Sequence, residues 1–352
     1  MPKSPIIISD PNDSLYQPVA INQTAVGATQ IVNLGGYDML LCNGTGSGFK
    51  LTMSQNTEPG SLDFNSYVTE FGGWTSKSGD PGAALHENAI VNGPCFVVAP
   101  SQTQGYVVMA TAQGTIGAFP TKYEHTGSNP NFWVLVDGER YLNGSKAASA
   151  PAAALSLQNG RLVLNIVWMD AGAKQMVLCQ LEVGEGQASE TYRYLGESCI
   201  GPPSLSMNGG TSFLSWFGTD GSFNLAVDPA GGVDFQFDRK LVEPGVTSDL
   251  GPCIVPINRT QLYVVWADRN RQGIHYAQLA RDQFGQWVFN PSKGCSGLVA
   301  GAYPLNGSPY AHFDRAADGT PLLAVVWPQL PANTVMLTHV PVSLAPVPLQ
   351  QA

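Results

Sequence analysis

The chain has 352 residues, a formal net charge of −9 and only 12% charged side chains, together with 39 glycines and 26 prolines. Its 17 lysines and arginines are scattered and form no stripe, which argues against a nucleic-acid-binding surface. No apolar run approaches the roughly 18 residues that a membrane helix needs. Few charges and many turn-forming residues are typical of short strands joined by tight turns.

The chain starts with a short apolar run, "PIIIS" (5–9), which is followed at once by acid and proline. This start lacks the hydrophobic region of a secretory signal, so we expect a cytoplasmic protein or one released without a recognisable signal peptide. The run itself predicts a strand that precedes the repeats described next.

A three-part phrase then recurs along the chain. A proline opens a short apolar run, and two more apolar runs follow after turns, as in "GPPSLS", "TSFLSW" and "GSFNLAV" (201–227). A weaker fourth run appears in several units. Because proline is tolerated at the first residue of a strand, each opening proline is predicted to start the innermost strand of its unit. These prolines are Pro18, Pro94, Pro151, Pro202, Pro252 and Pro309.

Six such units predict an all-β fold, a six-bladed β-propeller that forms a single domain over 1–352. The last unit offers three strands before a proline-rich tail, so we expect the N-terminal strand to pair with it and close the ring. The long first interval, from Pro18 to Pro94, carries an insertion at about 55–88, which we expect to form a loop over one face.

The repeat "LGPCIVPINRTQLYVVWADRNRQGIHYAQL" (250–279) resembles those of lectin-type and sialidase-like propellers. The most similar are six-bladed fungal fucose-binding lectins and related bacterial propeller lectins. This resemblance implies sugar-binding clefts between blades and no catalysis. In the fucose lectins an arginine opens the second strand and a glutamate lies in the third. This chain has Leu262 and Leu322 at the first position and Tyr276 and Leu225 at the second, so fucose specificity is not expected.

Four tryptophans end the second run of consecutive units and are candidate ligand-binding residues: Trp168, Trp216, Trp266 and Trp327. A flat indole suits the apolar face of a pyranose ring, but an aromatic residue at a fixed blade position can equally pack between neighbouring sheets. The polar residues after Trp266 could bond sugar hydroxyls or could be plain surface charge. We predict ligand binding for Asp268, Arg269, Arg271, His275 and Tyr276.

The inner run of the sixth unit, "SPYAHFD" (308–314), differs from the other inner runs, which are almost wholly apolar. Tyr310, His312 and Asp314 alternate, so all three lie on one strand face. A histidine near a carboxylate can act as a general acid or base. The sequence thus leaves two interpretations, a hydrogen-bonded plug of the channel and a catalytic group.

The resulting prediction is a carbohydrate-binding, multivalent propeller with several sites between blades. The alternative is an enzyme of small-molecule metabolism that uses a central pocket for acid–base or pericyclic chemistry. A sialidase would need three converging arginines, yet the first arginine here is Arg140. Six cysteines without a CxxC pair favour buried thiols over metal ligands, so no metal and no cofactor are expected. The partner is a glycan or another small molecule, without nucleic acid or membrane, and an oligomer is left open.

Overall fold

The computed structural model describes residues 18–25, 29–34, 37–43, 51–55, 67–70, 95–99, 104–110, 114–126, 129–135, 138, 140–183, 189–241, 248–269, 273–301, 305–316 and 318–348. These residues form strands, turns and irregular segments, and none of them belongs to an α-helix. Within them there is accordingly no helix long and apolar enough to span a membrane.

The described strands pair into six antiparallel sheets. β1 (Val19–Thr24) is followed by the first sheet, β2 (Gln30–Leu34), β3 (Tyr37–Asn43), β4 (Leu51–Gln55) and β5 (Tyr67–Glu70). The second sheet contains β6 (Cys95–Val98), β7 (Gln104–Ala110) and β8 (Ile116–Thr126), with β9 (Asn129–Leu135) and β10 (Arg140–Tyr141) both pairing with β8. The third contains β11 (Ala152–Gln158), β12 (Arg161–Met169), β13 (Met176–Val183) and β14 (Glu190–Tyr194).

The remaining sheets repeat this order. The fourth contains β15 (Ser204–Asn208), β16 (Thr211–Phe217), β17 (Phe223–Asp228) and β18 (Gln236–Leu241). The fifth contains β19 (Cys253–Asn258), β20 (Gln261–Ala267) and β21 (Gly273–Arg281), with β22 (Trp287–Phe289) and β23 (Ser296–Gly301) both pairing with β21. The sixth contains β24 (Tyr310–Arg315), β25 (Pro321–Gln329) and β26 (Thr334–Pro341), and its fourth strand is β1. The chain folds as a β-propeller closed by an N-terminal strand, as predicted.

The closing strand is not the one that the sequence suggested. β1, which follows Pro18, pairs with β26 through Val19 opposite Leu337 and Ala20 opposite Met336. It was predicted to be the innermost strand of the first unit, whereas that place belongs to β2. The free edge of β26 needs a partner, and the β1 run supplies one. The "PIIIS" run lies outside the described residues, as does most of the insertion; 67–70 is a strand, β5, rather than loop.

The prediction that a proline opens the inner strand is confirmed for four of the six units. Pro151, Pro202, Pro252 and Pro309 come just before the inner strands β11, β15, β19 and β24. Pro94 lies outside the described residues, and the inner strand β2 has no opening proline.

The glycine of the "GP" phrase is required by close packing between sheets. A Cβ atom added to Gly251 would lie 2.1 Å from the carbonyl oxygen of Pro202, and one added to Gly201 would lie 2.6 Å from the backbone nitrogen of Gly251. The backbones that lead into the inner strands β15 and β19 are therefore in close contact at these two glycines.

The long apolar runs of the sequence form the second strands of the sheets. Every residue of β16 is buried, as are the last six of β20, because each sheet is covered by neighbours on both faces. Five cysteines have described side chains, none of these five forms a disulfide, and four of them are buried. This agrees with the prediction of buried thiols.

Candidate functional site

The inner strands surround a cavity of about 260 Å³. The first residue of every inner strand lines it, and together these residues form what we call the first-residue ring: Gln30, Cys95, Ala152, Ser204, Cys253 and Tyr310. Pro151, Pro202, Pro252 and Pro309 line the same cavity, so the ring lies at the end of the channel where the inner strands begin. The channel therefore carries six equivalent positions with different side chains.

Side chains of the first-residue ring also contact the backbone of neighbouring inner strands. The Cys95 thiol lies 3.9 Å from the carbonyl oxygen of Ala153, and the Cys253 thiol lies 3.5 Å from that of Ala311. The Ser204 hydroxyl accepts a hydrogen bond of 3.1 Å from the backbone N–H of Ile254. Each of these side chains is thus held against the backbone of the next sheet.

Gln30 makes the most complete set of these contacts. Its Nε2 donates to the carbonyl oxygen of Phe96 at 2.8 Å, and its Oε1 accepts from the backbone N–H of Phe96. The second Nε2 hydrogen is donated to the hydroxyl of Tyr310 at 2.9 Å. One amide therefore joins the first, second and sixth sheets at the channel wall.

Thr29, the residue before Gln30, contributes a polar atom that the protein leaves unused. Thr29 lines the cavity and is 0% exposed. Its Oγ1 has no hydrogen-bond partner among the described residues. A buried hydroxyl without a partner costs about 1–3 kcal/mol. Other described hydroxyls share this state, among them those of Thr121, Thr211 and Ser212, but Thr29 differs from these three because it lines the cavity.

The ionisable groups of the first-residue ring are neutral. Burial raises the pKa of the Cys95 thiol to about 11 and that of the Cys253 thiol to about 12. Burial also raises the pKa of the Tyr310 hydroxyl well above its usual value. None of the described residues that line the cavity is an acid, a lysine, an arginine or a histidine. The site offers hydrogen-bond donors and apolar walls rather than charge.

Tyr310, His312 and Asp314 do not form one site. Tyr310 lines the cavity, but His312 and Asp314 are not among its lining residues. Because a strand rises about 3.3 Å per residue, His312 lies about 7 Å further along the strand than Tyr310, and Asp314 lies about 7 Å beyond His312. The Asp314 carboxylate accepts a hydrogen bond of 2.7 Å from the backbone N–H of Arg315. A catalytic role for His312 and Asp314 stays a prediction that this placement does not favour.

The four tryptophans lie between sheets. Their exposed fractions are 0% or 1%, and each belongs to a buried cluster that includes residues of the preceding sheet. Those residues are Val108 and Ile116 for Trp168, Ala154 and Leu178 for Trp216, Phe217 and Phe223 for Trp266, and Val265 and Ile274 for Trp327. None presents a ring face to solvent. This is the arrangement that the packing interpretation predicts, and ligand stacking on these rings stays untested.

The polar residues after Trp266 form a small surface cluster. The His275 Nε2 lies 3.8 Å from the Asp268 Oδ2, and their side chains are 28% and 31% exposed. The His275 ring stacks on Trp266 with a centroid distance of 5.5 Å. Burial lowers the pKa of His275, and the Asp268 carboxylate opposes that shift only in part. Arg269 is exposed, Tyr276 is buried, and Arg271 lies outside the described residues.

Comparison with known proteins supports the fold. No model of a known protein family matches this chain, and no curated protein does. Among solved structures, a Trypanosoma rangeli sialidase in complex with the inhibitor DANA is 8% identical with a TM-score of 0.57, over 91% of this chain and 55% of the sialidase chain. AofleA from Arthrobotrys oligospora is 12% identical with a TM-score of 0.57, over 92% of this chain and 85% of that one. A triple mutant of AofleA gives a TM-score of 0.59 at 10% identity.

At these identities the similarity shows a shared β-propeller fold and not a shared activity. This chain spans little more than half of the sialidase chain.

Sequence reasoning found Tyr310 but missed Thr29, Gln30, Cys95 and Cys253 as channel residues. A usable signal existed for the cysteines, because each directly follows an opening proline. Gln30 carried no such signal, since the inner strand β2 has no opening proline and is only five residues long.

Proposed function

We propose that this protein binds one uncharged, partly apolar small molecule in its central channel, within a six-bladed ring, and acts on it as an enzyme of small-molecule metabolism. The observation that carries the proposal is the first-residue ring, where the uncharged polar side chains of Gln30, Ser204 and Tyr310 meet a cavity whose described lining contains no charged residue. Ligand sites are usually concave and apolar, with a few placed polar groups. A charged ligand would lose its hydration here without a counter-charge, which is costly.

The protonation states support one class of reaction over another. Thiols and a phenol with raised pKa values stay protonated at neutral pH, so they are poor nucleophiles and poor bases. The Tyr310 hydroxyl can still donate a hydrogen bond to a substrate and hold it in one conformation, whereas the two thiols already face the carbonyl oxygens of Ala153 and Ala311. An intramolecular cyclisation or other pericyclic step gains from orientation alone and needs no ionised group. We therefore favour this chemistry over the acid–base alternative.

A blocked channel tests this proposal. Ala152→Phe places an aromatic ring at a first-residue position, and Ala173→Phe places the same ring on an exposed turn as the control. We expect uncharged aryl ketones and lactones to raise the melting temperature of the wild type and the control but not that of Ala152→Phe. Stabilisation of all three proteins would place binding elsewhere, and absence of stabilisation in the wild type would contradict channel binding.

A second candidate function is glycan binding at the surface cluster of Asp268, Arg269 and His275. Its support is the partly exposed Asp268–His275 pair at the end of β20, the strand whose Val265 pairs with Cys253. Asp170 follows Trp168 at the same spacing, but it is 3% exposed and bonds its own turn through Ala173 N. This favours a single site over a multivalent array.

Glycan-array binding by the wild type that is lost in Asp268→Asn and kept in Ala152→Phe would support this second candidate. Binding that survives in Asp268→Asn would contradict it.

A further inference from the structure

We infer that Tyr310 donates a hydrogen bond to a carbonyl oxygen of the channel ligand, and that Gln30 is the positioning residue that directs its proton there. The inference rests on the proposed function and adds the class of ligand, an uncharged ketone or ester. It begins with the amide of Gln30, whose orientation is fixed by its partners.

The backbone of Phe96 determines which atom of the Gln30 amide is the nitrogen and which is the oxygen. The Phe96 carbonyl oxygen can only accept, so it faces Nε2, and the Phe96 N–H can only donate, so it faces Oε1. The remaining hydrogen of Nε2 therefore points to the Tyr310 hydroxyl at 2.9 Å. In this contact Tyr310 can act only as the acceptor.

The hydroxyl proton of Tyr310 is consequently left for another acceptor. No described residue accepts it, and Tyr310 lines the cavity. Accepting a hydrogen bond from Gln30 also polarises the phenol and strengthens its own donation. Because burial raises the pKa of this hydroxyl, the proton remains on it across the physiological pH range.

Thr29 supplies an independent observation at the same wall. Its Oγ1 is fully buried, lines the cavity and has no partner among the described residues. It precedes Gln30, the residue that bonds Tyr310, so the Thr29 and Tyr310 hydroxyls come from neighbouring segments of the ring and both residues line the cavity. A carbonyl oxygen, which accepts two hydrogen bonds, matches two such donors. A hydrogen-bonded carbonyl also draws electrons from a conjugated system, which adds to the gain from orientation in a cyclisation of that system.

The test uses two probes of the same shape, acetophenone and α-methylstyrene, in which a methylene group replaces the carbonyl oxygen. The selectivity is the dissociation constant for α-methylstyrene divided by that for acetophenone, measured by calorimetry. We expect Tyr310→Phe to lower this selectivity about tenfold relative to the wild type. The exposed Tyr194→Phe is the matched control and should leave it unchanged.

A spectroscopic readout separates donation from a structural role. The carbonyl stretch of bound acetophenone should lie at a lower wavenumber in the wild type than in Tyr310→Phe. Gln30→Glu replaces the donor amide with a carboxylate that accepts the phenol proton, so it should raise this wavenumber although Tyr310 is still present.

The outcomes are distinguishable. If both probes bind in the channel with the same selectivity in the wild type and Tyr310→Phe, the donor inference is wrong and channel binding stands. If neither probe binds the wild type, the proposed function fails and the inference with it. A variant that does not melt cooperatively is excluded, and Thr29→Val then tests the second donor with the same probes and the same expected direction.

Discussion

Replacing Trp266 with alanine tests whether the four tryptophans pack sheets together. The ring is 1% exposed and lies among Phe217, Phe223 and other buried residues of the fourth and fifth sheets. Truncation of a large buried aromatic costs about 3–5 kcal/mol, through lost burial and the cavity that remains. For an unfolding entropy that scales with 352 residues, a loss of 4 kcal/mol lowers the melting temperature by about 5 °C.

The assay is thermal unfolding followed by circular dichroism, with Phe284→Ala as the matched control. Phe284 is 75% exposed, so its truncation should change the free energy of unfolding by less than about 0.5 kcal/mol. Trp266→Phe should fall between the two, because it keeps part of the buried area. A Trp266→Ala protein as stable as the control, with weakened glycan binding, would refute the packing account and restore the stacking interpretation.

Three further predictions concern stability. Gly251→Ala should lower the free energy of unfolding in urea by about 3 kcal/mol, because its Cβ would lie 2.1 Å from a backbone oxygen of the neighbouring sheet. The control Gly172→Ala, whose Cβ would meet nothing closer than 3.3 Å, should be nearly neutral. Gln278→Ala removes a fully buried amide whose Nε2 donates a hydrogen bond of 2.8 Å to the carbonyl oxygen of Ser343 in the C-terminal tail (342–348). We expect carboxypeptidase to trim the tail of this variant faster, and an unchanged rate would contradict the anchoring role of Gln278. The pKa of Cys253 is raised from 9.0 to about 12, so the unfolded chain loses this proton first and the free energy of unfolding should fall between about pH 9 and pH 12. Urea unfolding at these two limits should show a smaller fall in Cys253→Ala, and an equal fall would contradict the assignment.

The fold was largely predictable because the signal is periodic. Apolar runs bounded by glycine and proline predicted four inner strands and the second and third strands of their sheets. They also predicted that the last unit lacks its fourth strand. The N-terminal region was assigned wrongly because "PVAI" after Pro18 satisfies the same local pattern as an inner strand. Only pairing with β26 distinguishes the two places, and that is a contact between chain ends.

The site was less predictable because it depends on closure of the ring. Gln30 and Tyr310 are 280 positions apart in the chain, and their hydrogen bond exists only once the first and sixth sheets are neighbours. The alternation of Tyr310, His312 and Asp314 was visible in the sequence. Which of the three reaches the cavity depends on its depth along the strand, and local pattern carries no information about that depth.

Crystals soaked with 4-bromoacetophenone would test the central claim most directly, because anomalous scattering from bromine locates the probe without prior assumptions. Channel binding predicts a bromine peak inside the first-residue ring, with the ketone oxygen within hydrogen-bonding distance of the Tyr310 hydroxyl. Bromine peaks confined to the surface beside Asp268 and His275, with an empty channel, would contradict it.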